Sequence, residues 1–232
     1  MSLPSAVRAA IVDLDGTMID TVGDFEVALR LALADLGLPP VGRAFIARTV
    51  GKGSQHLLRQ TLAQVGAPDS LIEHAWARYQ HHYLAINGQH AEVYPGVREG
   101  LQALRDGGLL LACLTNKPLA FALPLLRAKG LAGCFAHTFG GDSFARQKPD
   151  PLPLLQTCRA LGTAPAQTLM VGDSSNDAQA ARAAGCPVVL VSYGYNHGEP
   201  AATAGPDAVI DRLDALPGLL DAASRPIAGR AT

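Results

Sequence analysis

The sequence predicts an α/β fold, a doubly wound parallel sheet with an all-helical unit inserted after its first strand. Three observations predict it. From residue 93 onward, near-continuous apolar runs of strand length alternate with amphipathic helical patterns, as in a parallel sheet covered on both faces. A further apolar run, Ala9-Ala10-Ile11-Val12, stands alone near the N-terminus. Residues 21–92 between them carry helical periodicity and no strand.

The isolated run ends in Asp13-Leu14-Asp15-Gly16-Thr17. Side chains in a strand alternate faces, so Asp13 and Asp15 project to one side while Leu14 enters the core. Gly16 permits a sharp turn, which puts the pair at the strand's C-terminal lip, where open α/β sheets bind ligands. A single Asp there is ordinarily a turn former or helix cap. Two at i and i+2 repel each other, and a cation bound between them relieves the repulsion. On the residues alone, either carboxylate can be the nucleophile.

In the inserted unit, Phe25, Ala28, Leu29, Ala32, Leu33 and Leu36 recur at helical spacing until Gly37 and Pro39-Pro40 stop the pattern. A second helix is expected over 57–65. Ser70-Leu71-Ile72-Glu73 resembles a capping box that opens a third helix through Trp76, Tyr79 and Tyr83. After the turn Val93-Tyr94-Pro95-Gly96, the spacing predicts helices near 97–104, 119–129, 152–161 and 175–184, interleaved with strands at 109–114, 136–139, 168–171 and 187–191. The resulting division is an α/β core of residues 1–20 and 93–225, a helical cap of 21–92, and a frayed tail at 226–232.

At 232 residues and 48% hydrophobic, the chain can bury a sizeable core. Nineteen Lys and Arg against twenty Asp and Glu leave no basic field for nucleic acid or an anionic membrane, which favours a small-molecule partner. No apolar run approaches the roughly 20 residues that span a bilayer, and no leader pattern opens the chain, so a cytoplasmic protein is expected. Cys113, Cys134, Cys158 and Cys186 lie in or beside apolar sequence without Cys-x-x-Cys spacing and read as buried, reduced thiols. The histidines lack zinc spacing, and adjacent His81 and His82 would point about 100° apart on a helix.

Three polar clusters follow later apolar strands, and a parallel sheet brings such strand ends to one edge. Thr115-Asn116-Lys117-Pro118 puts a hydroxyl and an amide at a helix start, where free N–H groups favour an anion. Gln147-Lys148-Pro149-Asp150-Pro151 holds a lysine in a stiff loop, preorganised for one oxyanion. Gly172-Asp173-Ser174-Ser175-Asn176-Asp177 adds two acids. Several carboxylates at one edge call for a hard cation, and Mg²⁺ suits an oxygen-rich set. Together these are parts for phosphoryl transfer by positioning and electrostatics.

In this order the four clusters resemble the four motifs of the haloacid dehalogenase superfamily, in its phosphatase branch with a helical cap after the first strand. The finer resemblance is to the phosphoglycolate phosphatases. It rests on Tyr94-Pro95-Gly96-Val97, Thr115-Asn116-Lys117-Pro118, Gly140-Gly141-Asp142, Lys148-Pro149-Asp150-Pro151 and Gly194-Tyr195-Asn196-His197-Gly198-Glu199-Pro200, with Val50-Gly51-Lys52-Gly53 as the cap loop. The resemblance implies a Rossmann-like core and a Mg²⁺-dependent phosphate monoester hydrolase that acts on 2-phosphoglycolate through an aspartyl-phosphate. Asp13 would be the nucleophile and Asp15 the acid and base. Thr115, Asn116 and Lys148 would hold the phosphoryl group. Mg²⁺ would sit on Asp13, the Asp15 backbone carbonyl and Asp173, with Asp177 orienting its waters or Lys148. Gly51, Lys52 and Gly53 would select the substrate, Lys52 offering a cation to a small carboxylate. The alternatives are a phosphatase of another small ester, a beta-phosphoglucomutase-like phosphotransferase and, outside enzymes, a phospho-accepting signalling or interaction protein. Asp15 argues against the dehalogenase and phosphonate-hydrolase branches, which lack it.

Overall fold

A computed structural model describes residues 7–224; the tail expected at 226–232 lies outside them. Six strands form one parallel sheet. They are β1 (Ala9–Val12), β4 (Leu110–Leu114), β5 (His137–Phe139), β6 (Thr168–Gly172), β7 (Val188–Val191) and β8 (Ala208–Ile210), in the order β5-β4-β1-β6-β7-β8. The chain starts in the middle. β1 lies between β4 and β6, with Ala9 level with both Leu110 and Thr168, so the lips of these three strands fall together.

Alternation along the strands divides the core. Ala10, Val12, Leu111, Cys113, Leu169 and Val171 pack on one face beneath α5 (Val97–Asp106), α6 (Leu119–Ala128) and α9 (Leu216–Ser224). Ile11, Ala112, Leu114, Met170 and Val188 pack on the other, beneath α7 (Leu152–Leu161) and α8 (Ser175–Ala184). Both faces are covered by helices, which is why these strands read as unbroken apolar runs. Leu14 is fully buried, as the alternation requires.

Residues 22–86 form α1 (Val22–Asp35), α2 (Arg43–Thr49), α3 (Ser54–Gln64) and α4 (Ile72–Ile86). Phe25, Leu29, Leu33, Leu57, Leu62, Tyr79 and Tyr83 build a separate apolar cluster there, which the core joins through Phe121 of α6. The chain leaves and re-enters the core through an antiparallel pair, β2 (Ile19–Asp20) and β3 (Glu92–Val93). This pair brackets the stretch 21–92, whose interior is helical as expected; at two residues per strand it is too short to show a period in the sequence. Ser70 does not cap α4, because residues 69–71 form a 3₁₀ turn and Leu71 occupies the cap position without a side-chain bond. Cys113, Cys158 and Cys186 are buried free thiols, whereas Cys134 is partly exposed in a short 3₁₀ turn. No helix among the described residues is long and apolar enough to cross a membrane.

Candidate active site

Asp13 and Asp15 line one cavity at the lip of β1 with Thr115, Asn116 and Lys117 of the β4 lip and Phe25, Val50, Gly51, Gly53, Ser54 and Leu57 of the helical unit. The space amounts to about 20 Å³, room for about one water. Gly16 turns the chain at φ +82°, and a Cβ there would run into the Asp173 carboxylate, so this position requires glycine for both its backbone and its neighbour.

The Asp13 side belongs wholly to the core. Asp13 Oδ1 lies 2.9 Å from Lys148 Nζ in a buried ion pair. Lys148 Nζ also donates to Asp177 Oδ1 at 2.7 Å and to the Leu114 carbonyl at 2.9 Å. Asp177 does two jobs: its Oδ2 accepts from Ser174 N and Oγ in the capping box that opens α8, while its Oδ1 faces the lysine. Ligand oxygens of Asp13, Asp173 and Asp177 all fall within 4.8 Å of one another. Burial pushes the Asp13 carboxyl up to about 7, with Lys148 opposing and Asp177 adding to the rise. Asp173 is raised well above the carboxylate range, by burial first and then by Asp177 and Asp13. Burial pulls the Lys148 ammonium toward neutrality, but its two carboxylates outweigh this and hold it above its usual range.

Three buried carboxylates therefore face one ammonium, an excess of two negative charges when all are ionised. All three offer oxygen, the donor that hard divalent cations prefer. The acidic cluster fits such an ion.

The Asp15 side is shared between core and helices. Lys117, buried with a side chain 0% exposed, brings Nζ to 2.9 Å and 3.0 Å from the two Asp15 oxygens. Phe25 of α1 and Tyr83 of α4 turn their ring faces to that ammonium at 4.2 Å and 5.0 Å, favourable cation–π geometry. Thr21 Oγ1 donates to Asp15 Oδ1 at 2.8 Å.

The other expected residues fall as follows. Thr115 lines the cavity and accepts from Lys117 N at 3.1 Å. Asn116 Nδ2 donates to Gly51 O and Lys148 O, and its Oδ1 accepts from Lys148 N, so its amide fastens two loops together. Gly51 and Gly53 line the cavity, but Lys52 is exposed and lines an adjoining outer groove with Arg59 and Trp76. The Asp15 carboxylate is turned to Lys117 and stands apart from the acidic cluster, which takes in Asp177. Lys117, Thr21, Phe25 and Tyr83 were not among the expected site residues. Lys117 had one available signal, its place in Thr115-Asn116-Lys117-Pro118 directly after a buried strand.

Comparison with known proteins places this site in a family. The family model described as haloacid dehalogenase-like hydrolase matches residues 7–185. A plasmid-borne phosphoglycolate phosphatase of Cupriavidus necator is 47% identical over 223 residues, covering 95% of each chain. The phosphoglycolate phosphatase of Thiobacillus denitrificans is 44% identical over 215 residues, 91% of this chain and 95% of the relative. Among solved structures, a predicted phosphoglycolate phosphatase of Haemophilus somnus superposes with a TM-score of 0.85 at 32% identity, covering 90% of this chain and 96% of that one. Sheet order, paired acids at the central lip, buried lysine and matching relatives agree, and the chain belongs to the haloacid dehalogenase-like hydrolase family, as a phosphatase.

Proposed function

We propose that the chain hydrolyses 2-phosphoglycolate to glycolate and phosphate through an aspartyl-phosphate on Asp13, in the cytoplasm. The observation that carries this reading is that two carboxylates leave one strand into one cavity with separate lysine partners, Lys148 for Asp13 and Lys117 for Asp15. The relatives named phosphoglycolate phosphatase, matched over nearly the whole chain, support the substrate.

An Asp13 oxygen attacks phosphorus, and the bond from phosphorus to the glycolate oxygen breaks. Asp15 gives its proton to the departing alkoxide, then takes one from the water that attacks the aspartyl-phosphate, so each turnover returns both acids to their starting states. Lys148 holds a phosphoryl oxygen beside Asp13, with Thr115 and the Asn116 backbone at the same lip. Asp13, Asp173 and the Asp15 backbone carbonyl, with Asp177 beside them, would hold Mg²⁺, which would supply charge neutralisation at the phosphoryl oxygens.

Residues 21–92 act as a cap joined to the core at β2 and β3. The docked cavity has room for about one water, which favours a helical unit that opens to admit substrate and closes to exclude water. Gly53 and Ser54 line the cavity at the start of α3, whose free N–H groups suit the substrate carboxylate better than exposed Lys52 does.

Phosphate release from 2-phosphoglycolate, beside hexose and nucleotide monophosphates and with or without Mg²⁺, tests the reading. A Mg²⁺-dependent preference for phosphoglycolate that is lost in Asp13→Asn supports it. Preference for another ester keeps the mechanism and overturns the substrate; phosphoryl transfer between sugar positions without phosphate release favours the mutase.

A further inference from the structure

The segment 194–200, singled out in the sequence but given no task by the chemistry, touches three parts of the molecule at once. Tyr195 N donates to Asp173 Oδ2 at 2.7 Å, on the acidic cluster. Its hydroxyl donates to Asp20 Oδ1 at 2.8 Å and accepts from Thr21 N at 2.8 Å, where the chain leaves the core for the helical unit. One residue therefore bonds a cluster carboxylate with its backbone and the hinge with its ring. A Cβ at neighbouring Gly194 would collide with Asp173, so the segment lies flush against that carboxylate.

The next residues extend the link to the end of α2 and the loop that follows it. Asn196 and His197 hold φ of 32° and 55°, a left-handed conformation unusual for residues with a Cβ. Core contacts secure it: Asn196 Oδ1 accepts from Ser175 N at 2.9 Å, and its amide donates to the carbonyls of Glu199 and Pro200. So placed, His197 Nδ1 donates to Arg48 O at 3.2 Å, at the end of α2, and Nε2 accepts from Asn176 Nδ2 at 3.3 Å. Asn176 in turn reaches Gly51 O at 3.3 Å.

We propose that Tyr195 is a positioning residue that couples the Asp173 carboxylate to docking of the helical unit, so that filling the acidic cluster with a divalent cation favours the docked state and docking tightens the cation. The inference rests on the cluster being a cation site and on residues 21–92 acting as a cap. Its physical content is linkage. Anything that steadies Asp173 steadies the Tyr195 backbone, and through the ring the first residues of the hinge; the effect must run equally in reverse.

The protein carries its own probe, since its single tryptophan, Trp76 of α4, lies 6.3 Å from the Phe121 ring of the core. Mg²⁺ is titrated into the wild type, Tyr195→Phe, Asp20→Ala and the double variant. Affinity is read by calorimetry and docking by Trp76 emission. Tyr195→Phe keeps the backbone bond to Asp173 and loses both hinge bonds. In the wild type, Mg²⁺ should shift Trp76 emission. In Tyr195→Phe, Mg²⁺ should bind about fivefold or more weakly with most of the Trp76 response gone. Asp20→Ala should shift both readouts the same way, and the double variant should lose less than the sum of the two single losses, because the two share the Tyr195–Asp20 bond. Asp20→Ala reads the same link from the hinge side, so a Tyr195→Phe protein that does not fold leaves the test standing. Wild-type affinity and response in folded Tyr195→Phe overturn the coupling, as does a wild type that binds Mg²⁺ with no Trp76 change. A wild type that binds no Mg²⁺ overturns the cation-site reading and the coupling with it.

Discussion

Asp13 and Asp15 leave the same strand two residues apart, yet different parts of the molecule hold them. Asp13 meets Lys148, Asp173 and Asp177, all of which come from loops and helix starts of the core at the sheet lip. Asp15 meets Lys117 from the core, but the far side of that ammonium is covered by Phe25 and Tyr83, and a third contact comes from Thr21 at the hinge. The difference separates a half of the site built from core residues alone from a half completed by residues of the helical unit. It suits a two-step reaction in which the nucleophile stays in place while the acid and base is organised around each substrate.

Asp13→Asn tests the core-built half most severely. A carboxamide cannot act as the nucleophile, and phosphate release should fall by on the order of 10⁴-fold or more in steady-state assays. Next comes Lys148→Met, which leaves Asp13 and Asp177 buried without their cation. Activity should drop by about 10²–10³-fold, and stability by about 3–5 kcal/mol in denaturant titration. Lys117→Met should sharpen the comparison: a loss of about 10–100-fold in kcat, milder than for Lys148, because Thr21 still holds Asp15. Equal losses from both lysine variants would erase the distinction between the halves.

A pH series with and without Mg²⁺ reads the acidic cluster by itself. The Asp13 carboxyl has a folded pKa of about 7 against about 4 in an unfolded chain. Between those values the folded state holds a proton that the unfolded state has released, so stability falls as pH rises toward 7 and stays low above it. Thermal melts of metal-free protein should show this decline, and Mg²⁺ should relieve it by giving the ionised cluster a counter-charge. The smallest effect belongs to Lys52→Ala. Its exposed side chain lies off the Asp13 cavity, so stability should change by no more than about 0.5 kcal/mol in denaturant titration, with kcat/KM nearly unchanged.

The same contrast explains what the sequence made legible. β1, β4, β6 and β7 are buried on both faces, so each appears as an unbroken apolar run, and the acids and lysine at their lips could be placed on one edge before any coordinates. The Asp13 half was readable because strand ends and topology locate it. The Asp15 half was not: Lys117 turns back to a residue 102 positions away, under rings from α1 and α4 whose approach no local pattern encodes. α2 escaped notice because only Ile46 of its seven residues is buried, and β2 and β3 are too short to show alternation. Ser70 carried the letters of a capping box, but residues 69–71 close a 3₁₀ turn instead, leaving it exposed. Lys52 sat in a loop that does reach the cavity, through the glycines on either side rather than its own side chain.

The most direct test of the division between the two acids is to mix the protein with labelled 2-phosphoglycolate and Mg²⁺, quench in acid within a turnover, and map the labelled phosphoryl group by peptide mass spectrometry. The account predicts label on Asp13, absent in Asp13→Asn and accumulating in Asp15→Asn, where the base that activates water is missing. Label on Asp15, or turnover with no covalent label in any variant, would contradict it.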